Sequence, residues 1–147
     1  MSAPPLDGPI RALLAEDNPG DVLLIREALT LAGLEFHLDV MQDGEQISNF
    51  IDKIDEEGLP RPHVVLLDLN LPRRTGDEIL LKMRQSPEWT GVPVVVVTSS
   101  NSPHDRDRAA RLGANHYFRK PADYEEFMRL GAVVRSVICP PGEESAE

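Results

Sequence analysis

Val64-Val65-Leu66-Leu67-Asp68-Leu69-Asn70-Leu71-Pro72 is the stretch that decides the fold. Four consecutive apolar residues, two of them β-branched, run into a carboxylate. That pattern describes a strand buried on both faces that delivers one acid to its carboxyl edge. Two other runs share the form: Ile10 to Ala15 leads into Glu16-Asp17, and Val94 to Val97 leads into Thr98-Ser99-Ser100. Open parallel sheets bind ligands outside the carboxyl ends of their strands, where strand order reverses. Function is expected at that rim.

The remainder of the chain bounds the problem. Its 147 residues, 41% hydrophobic and 27% charged, suit one globular domain with a real core. A net charge of -10 argues against a nucleic-acid binder, and Arg73-Arg74 and Arg106 to Arg111 are interleaved with acids or apolar residues rather than clustered. The single Cys139 excludes an intramolecular disulfide, and His37, His63, His104 and His116 lack zinc-ligand spacing. No secretory signal is visible, and no apolar run approaches the ~20 residues of a membrane-spanning helix. The cytoplasm is the simplest compartment.

Residues 1–9, rich in Pro and small residues, read as a flexible lead, residues 10–138 as the domain, and residues 139–147 as a disordered acidic tail. Strand one gives way to Asn18-Pro19, a helix start in which Asn caps and Pro suits the first helical position. Phe36, Leu38 and Val40 alternate as in an edge strand, and Asp43-Gly44 turns into a second helix ending in the acidic loop 55–62. Gly76 supplies a left-handed or a closely packed turn. A third helix spans Asp77 to Ser86, Trp89 covers a loop, and a fourth helix, Pro103 to Leu112, has so few apolar residues that it is expected to be the most loosely held. His116 to Arg119 forms strand five, followed by one helix from Tyr124 to Val137. Five strands alternating with five helices indicate a parallel α/β sheet covered on both faces.

If strands one and three are neighbours, Glu16, Asp17 and Asp68 converge, and like charges so placed raise one another's pKa unless a cation compensates. An all-oxygen site of this kind suits Mg²⁺, with Mn²⁺ as a substitute. Lys120, just past strand five, can reach the same rim, and the Thr98 hydroxyl can donate to an oxyanion. Carboxylate, metal, ammonium and hydroxyl together make a phosphoryl-transfer site in which a carboxylate can serve as covalent nucleophile.

The ordered set Glu16-Asp17, Asp68-Leu69-Asn70-Leu71-Pro72, Thr98 and Lys120-Pro121, each at its own strand end, resembles the receiver domains of two-component response regulators. The resemblance covers about Ile10 to Val137. It implies a flavodoxin-like (βα)5 doubly wound fold with strand order 2-1-3-4-5. It also implies that Asp68 takes a phosphoryl group from the phosphohistidine of a sensor kinase, and that Asp17, Asp68 and the backbone carbonyl of Asn70 bind Mg²⁺ while Glu16 acts through water. Lys120 would hold the phosphoryl group, with Thr98, Ser99 and Tyr117 as its switch partners and the Lys120–Pro121 bond cis. The Glu16 to Val22 stretch, the extended loop 56–62 and Leu69-Asn70-Leu71-Pro72 look like the stand-alone receivers associated with bacterial phytochromes. A phytochrome-type histidine kinase is thus the implied partner, and a further, unidentified protein the output.

Three other functions compete. An aspartate-nucleophile phosphatase or phosphotransferase of the haloacid-dehalogenase kind places a second Asp two residues after the nucleophile, where this chain has Asn70. A flavin or nucleotide binder needs a phosphate cradle after strand one, which Glu16-Asp17-Asn18 would repel. A phosphorylation-independent scaffold would be favoured by a missing acid, and none is missing. Met128, Val133 and Ile138 widen the apolar stripe of the last helix, which raises homodimerisation through helix four, strand five and helix five as an expectation for sedimentation to check.

Overall fold

The computed structural model describes residues 8–138, so most of the lead and all of the acidic tail, with Cys139, lie outside the described residues. Five strands, β1 (Ile10–Ala15), β2 (Phe36–Met41), β3 (Val64–Leu67), β4 (Val94–Thr98) and β5 (His116–Arg119), form one parallel sheet in the order β2-β1-β3-β4-β5. The helices are α1 (Pro19–Leu31), α2 (Gly44–Glu57), α3 (Gly76–Gln85), α4 (Pro103–Arg111), α5 (Tyr124–Phe127) and α6 (Leu130–Ile138). None of them is long and apolar enough to cross a membrane.

The pleat of the central strands divides the core in two. Ala12, Leu14, Val64, Leu66, Val95 and Val97 face a layer built with Ile25, Leu29, Phe127, Leu130 and Val134 of α1, α5 and α6. Their neighbours Leu13, Ala15, Val65, Leu67 and Val94 face the opposite layer, with Ile47, Ile51, Ile79 and Met83 of α2 and α3. Successive side chains of a strand point to opposite faces, so a run such as Val64 to Leu67 must be apolar throughout when helices cover both. All four of its residues are fully buried.

Helix starts follow the caps in the sequence. Asn18 accepts from the Asp21 amide, Asp43 from Gln46, and Ser102 from Asp105, while Thr75 and Glu78 form a reciprocal capping box. Two helix ends depart from the sequence reading. The acidic loop expected from Asp55 begins only after Glu57, because Gly58, at φ 65°, supplies the left-handed residue that closes α2. The expected single last helix is broken at Met128-Arg129, where Arg129 N–H bonds to Glu126 and Gly131 N–H to Met128, each three residues back. Gly131 itself is needed on α6: a Cβ there would lie 2.3 Å from the Ala28 carbonyl oxygen and 2.6 Å from the Ala32 Cβ of α1. Met128, Val133 and Ile138 are half-buried against the α1-side core, which gives the wide stripe an intramolecular use.

Two residues staple the α3 side. Trp89, read as a loop cover, ends a 3₁₀ turn (Pro87–Trp89) and is fully buried; its Nε1 donates to Asp55 Oδ1 at 2.8 Å, and Arg61 also binds that oxygen at 2.8 Å. Arg84 donates to the carbonyls of Trp89, Thr90, Val92 and Gly113 and to Asn115 Oδ1, tying α3 to the segments on either side of β4. Since charged donors are worth about 1.5–3 kcal/mol each to stability and the bonds here share one group, Arg84→Met is expected to destabilise the fold by about 2–3 kcal/mol. A urea midpoint equal to wild type would contradict this.

Candidate functional site

Register brings the acids together. Ala15 of β1 pairs with Leu67 of β3, so Glu16 and Asp68 leave the sheet side by side, and the Asp68 amide donates to the Ala15 carbonyl at 3.1 Å. Thr98 of β4 pairs with Arg119 of β5, and the Lys120 amide donates to the Thr98 carbonyl at 2.7 Å, which starts the Lys120 side chain from the same rim. Glu16 and Asp68 are buried, at 1% and 5% exposure.

Lys120 is the electrostatic centre. Its Nζ lies 2.8 Å from Glu16 Oε1, 2.8 Å from Asp21 Oδ2 and 3.1 Å from Asp68 Oδ2. Burial works against its charge, but the bonds to Asp21 and Glu16 and the field of Asp68 win and raise its pKa, so it is cationic throughout. Glu16 is the opposite case. Burial, helped by the nearby charge of Asp68, raises its pKa from 4.5 to about 7 against the pull of Lys120 and the Asn18 amide.

The Glu16 shift predicts a pH dependence. Between 4.5 and about 7 the folded protein holds a proton that the unfolded chain has released. The stability Glu16 contributes is therefore present below pH 4.5 and is lost as pH rises through 7. In metal-free buffer, wild type is expected to lose about 2 kcal/mol more than Glu16→Gln between pH 5 and pH 8. Parallel urea stability curves for the two proteins would refute it.

The donor set fits a hard cation. Carboxylate oxygens of Glu16, Asp17 and Asp68 lie within 4.8 Å of one another, with Asp17 exposed and the other two buried. Oxygen-only donors of this kind suit Mg²⁺ or Mn²⁺, and a cation beside Glu16 would oppose the burial and the Asp68 charge that raise its pKa. Asn70 sits at the exposed edge of this group, its amide donating to Asp68 Oδ1 at 3.0 Å. The loop carrying it closes on Gly76, whose amide donates to the Leu69 carbonyl. Of the two uses read for Gly76, close packing is the one found: a Cβ would lie 2.4 Å from the Asp68 carbonyl oxygen and 2.7 Å from Leu69 Cα. The left-handed residue of the loop is Arg73, at φ 72°.

Thr98 is fully buried and Ser99 exposed. Thr98 and Tyr117 converge on Ser100: its amide donates to Thr98 Oγ1 at 3.4 Å, and Tyr117 Oη donates to its carbonyl at 3.2 Å. Ser100 Oγ in turn donates to Asp105 of α4 at 2.5 Å. α4 buries only Ala109, as its composition suggested. The Lys120–Pro121 bond expected to be cis is trans, as are all peptide bonds among the described residues. Trans is the lower-energy isomer even before proline, and the chain reaches the Lys120 ion pairs without leaving it.

The sequence reading missed two participants. Asp21, in the first turn of α1, looks like an ordinary helix-dipole acid, and only its distance to Lys120 gives it a role. Arg106 of α4 stacks its guanidinium 4.5 Å from the centroid of the Tyr117 ring, a contact without any sequence signal.

This arrangement of strand-end acids and lysine is that of a receiver. The family model of the response regulator receiver domain matches residues 12–130, and the chain belongs to that family. Among its relatives is the response regulator Rcp1 of Synechocystis sp., 34% identical over 119 residues that cover 80% of this chain and 81% of Rcp1. The crystal structure of the Mn²⁺-bound form of Rcp1 superposes with a TM-score of 0.77 at 32% identity, over 87% of this chain and 93% of that one. The phosphorylated cyanobacterial phytochrome response regulator RcpA gives 0.78 at 28% identity, over 88% and 93%. The chain is thus similar to phytochrome response regulators in sequence and in fold.

Proposed function

We propose that Asp68 is the phosphoacceptor of this receiver. The observation that carries the reading is a buried strand-end carboxylate 3.1 Å from a triply paired ammonium and within a cluster of hard oxygen donors. Asp68 Oδ2 attacks phosphorus of a kinase phosphohistidine; the P–O bond forms, the P–N bond breaks, and its electron pair leaves on the imidazole nitrogen. Lys120 exchanges its contact with Asp68 Oδ2 for an oxygen of the transferred group. Asp17, Asp68 and the Asn70 carbonyl are the proposed Mg²⁺ ligands, Glu16 acts through water, and Mn²⁺ is a substitute, as the Mn²⁺-bound Rcp1 suggests. The metal would supply positive charge at the oxygens of the transferring group.

The phosphorylated state would be read through Thr98, Ser99 and Tyr117. A Thr98 hydroxyl drawn to the phosphoryl group gives up the Ser100 amide, and Ser100 also anchors Tyr117 and α4. The loosely held α4 and the adjoining β5–α5 surface are therefore the part presented to a downstream protein in the cytoplasm. Likeness to Rcp1 and RcpA supports a phytochrome-type histidine kinase as donor.

Intact mass after incubation with acetyl phosphate tests the reading. A gain of one labile phosphoryl group that requires Mg²⁺ is expected. A folded sample that gains nothing, with or without metal, would overturn it.

A further inference from the structure

Lys120 is shared among three carboxylates, and they are not equivalent. Glu16 and Asp68 belong to the group whose oxygens lie within 4.8 Å of one another around Asp17, whereas Asp21 stands outside that group. Lys120 and a divalent cation therefore compete for Glu16 and Asp68, but not for Asp21. We propose that Asp21 is a positioning residue, the anchor that keeps the Lys120 ammonium beside Asp68 when a cation draws on the other two acids. The inference rests on the phosphoacceptor reading above and adds a residue to it.

The local structure makes Asp21 suited to this. Its backbone is pinned because its amide donates to the Asn18 cap at 3.1 Å. Its Oδ2 meets Nζ at 2.8 Å across ninety-nine residues of sequence, joining the first turn of α1 to the loop after β5. Lys120 Nζ donates to Asp21 and Asp68 and ion-pairs with Glu16, so with Asp21 removed the ammonium relies wholly on Glu16 and Asp68. It then opposes cation uptake by electrostatic repulsion and by occupying the same oxygens. Asp21 thus lowers the cost of metal entry through the lysine it holds.

The test is Mn²⁺ affinity, followed by the electron paramagnetic resonance signal of free Mn²⁺, without any phosphodonor. Asp21→Asn is expected to raise Kd about fivefold, the size of a single partly exposed ion pair, and Asp21→Glu to recover most of the loss. In a Lys120→Met background the same Asp21→Asn change is expected to move Kd less than about twofold, because the group it acts through is gone. An equal shift in both backgrounds would mean that Asp21 acts on the metal as a bare charge and would overturn the inference, as would no shift at all. Wild type that binds no Mn²⁺ would remove the metal reading itself, and this inference with it. Wild type that binds Mn²⁺ but takes no phosphoryl group would count against the phosphoacceptor reading alone.

Discussion

Asp68→Asn is expected to lower the metal-dependent gain of a phosphoryl group by at least ~10³-fold, since an amide oxygen cannot replace the carboxylate as nucleophile. The substitution is nearly isosteric. The Asn70 amide still finds an oxygen acceptor, and Lys120 keeps Glu16 and Asp21 at 2.8 Å each. Stability should therefore hardly move, and a urea curve close to wild type separates loss of chemistry from loss of fold. Two other carboxylates lie close by, so peptide mapping after borohydride reduction is needed to show that wild type carries its label at Asp68. Label retained by a folded Asp68→Asn protein at wild-type rate would transfer the acceptor role to Glu16 or Asp17.

The largest effect on stability is expected from Trp89→Ala. Trp89 is fully buried among Ile47, Ile51, Ile54 and Met83, so its removal leaves a cavity that the flanking helices cannot refill. Truncations of this kind cost about 3–5 kcal/mol. The variant also leaves Asp55 without its Nε1–H donor and Arg61 without the ring 5.7 Å from its guanidinium. For a domain of this size the loss lowers Tm by about 10 °C, read by circular dichroism. Trp89 lies in the α2–α3 layer, away from the acids, so phosphorylation by acetyl phosphate well below the new Tm should match wild type. A Tm drop below about 3 °C would mean that the Trp89 site collapses without a cavity.

How much of the site was legible depended on where its residues stand in the chain. Asp68 and Thr98 each end a strand whose apolar run is visible, and Lys120 follows the short run His116-Tyr117-Phe118-Arg119, so β-sheet direction places all three at one rim. Asp21 shows no such mark, because an acid in the first turn of a helix is common for reasons of its own. Arg84 and Arg106 were illegible for a related reason. A long cationic side chain at a polar position does not reveal whether it meets water, a row of carbonyls or the face of Tyr117. The last helix misled because the 3.6-residue period carries through a tightened turn, so the break at Met128-Arg129 leaves the apolar stripe unbroken.

Local sequence determined the strands, the helix caps and the identity of the acids, since each rests on periodicity, turn chemistry or strand-end position within a short window, whereas the strand order came from the resemblance to receivers. Tertiary structure alone decided which carboxylates share Lys120, the burial that lifts Glu16 to about 7, the trans bond after Lys120 and the burial of Trp89. The physical reason is range. Propensity and pattern act over a few residues, whereas desolvation and ion pairing depend on which distant segments the packed sheet brings within a few ångströms.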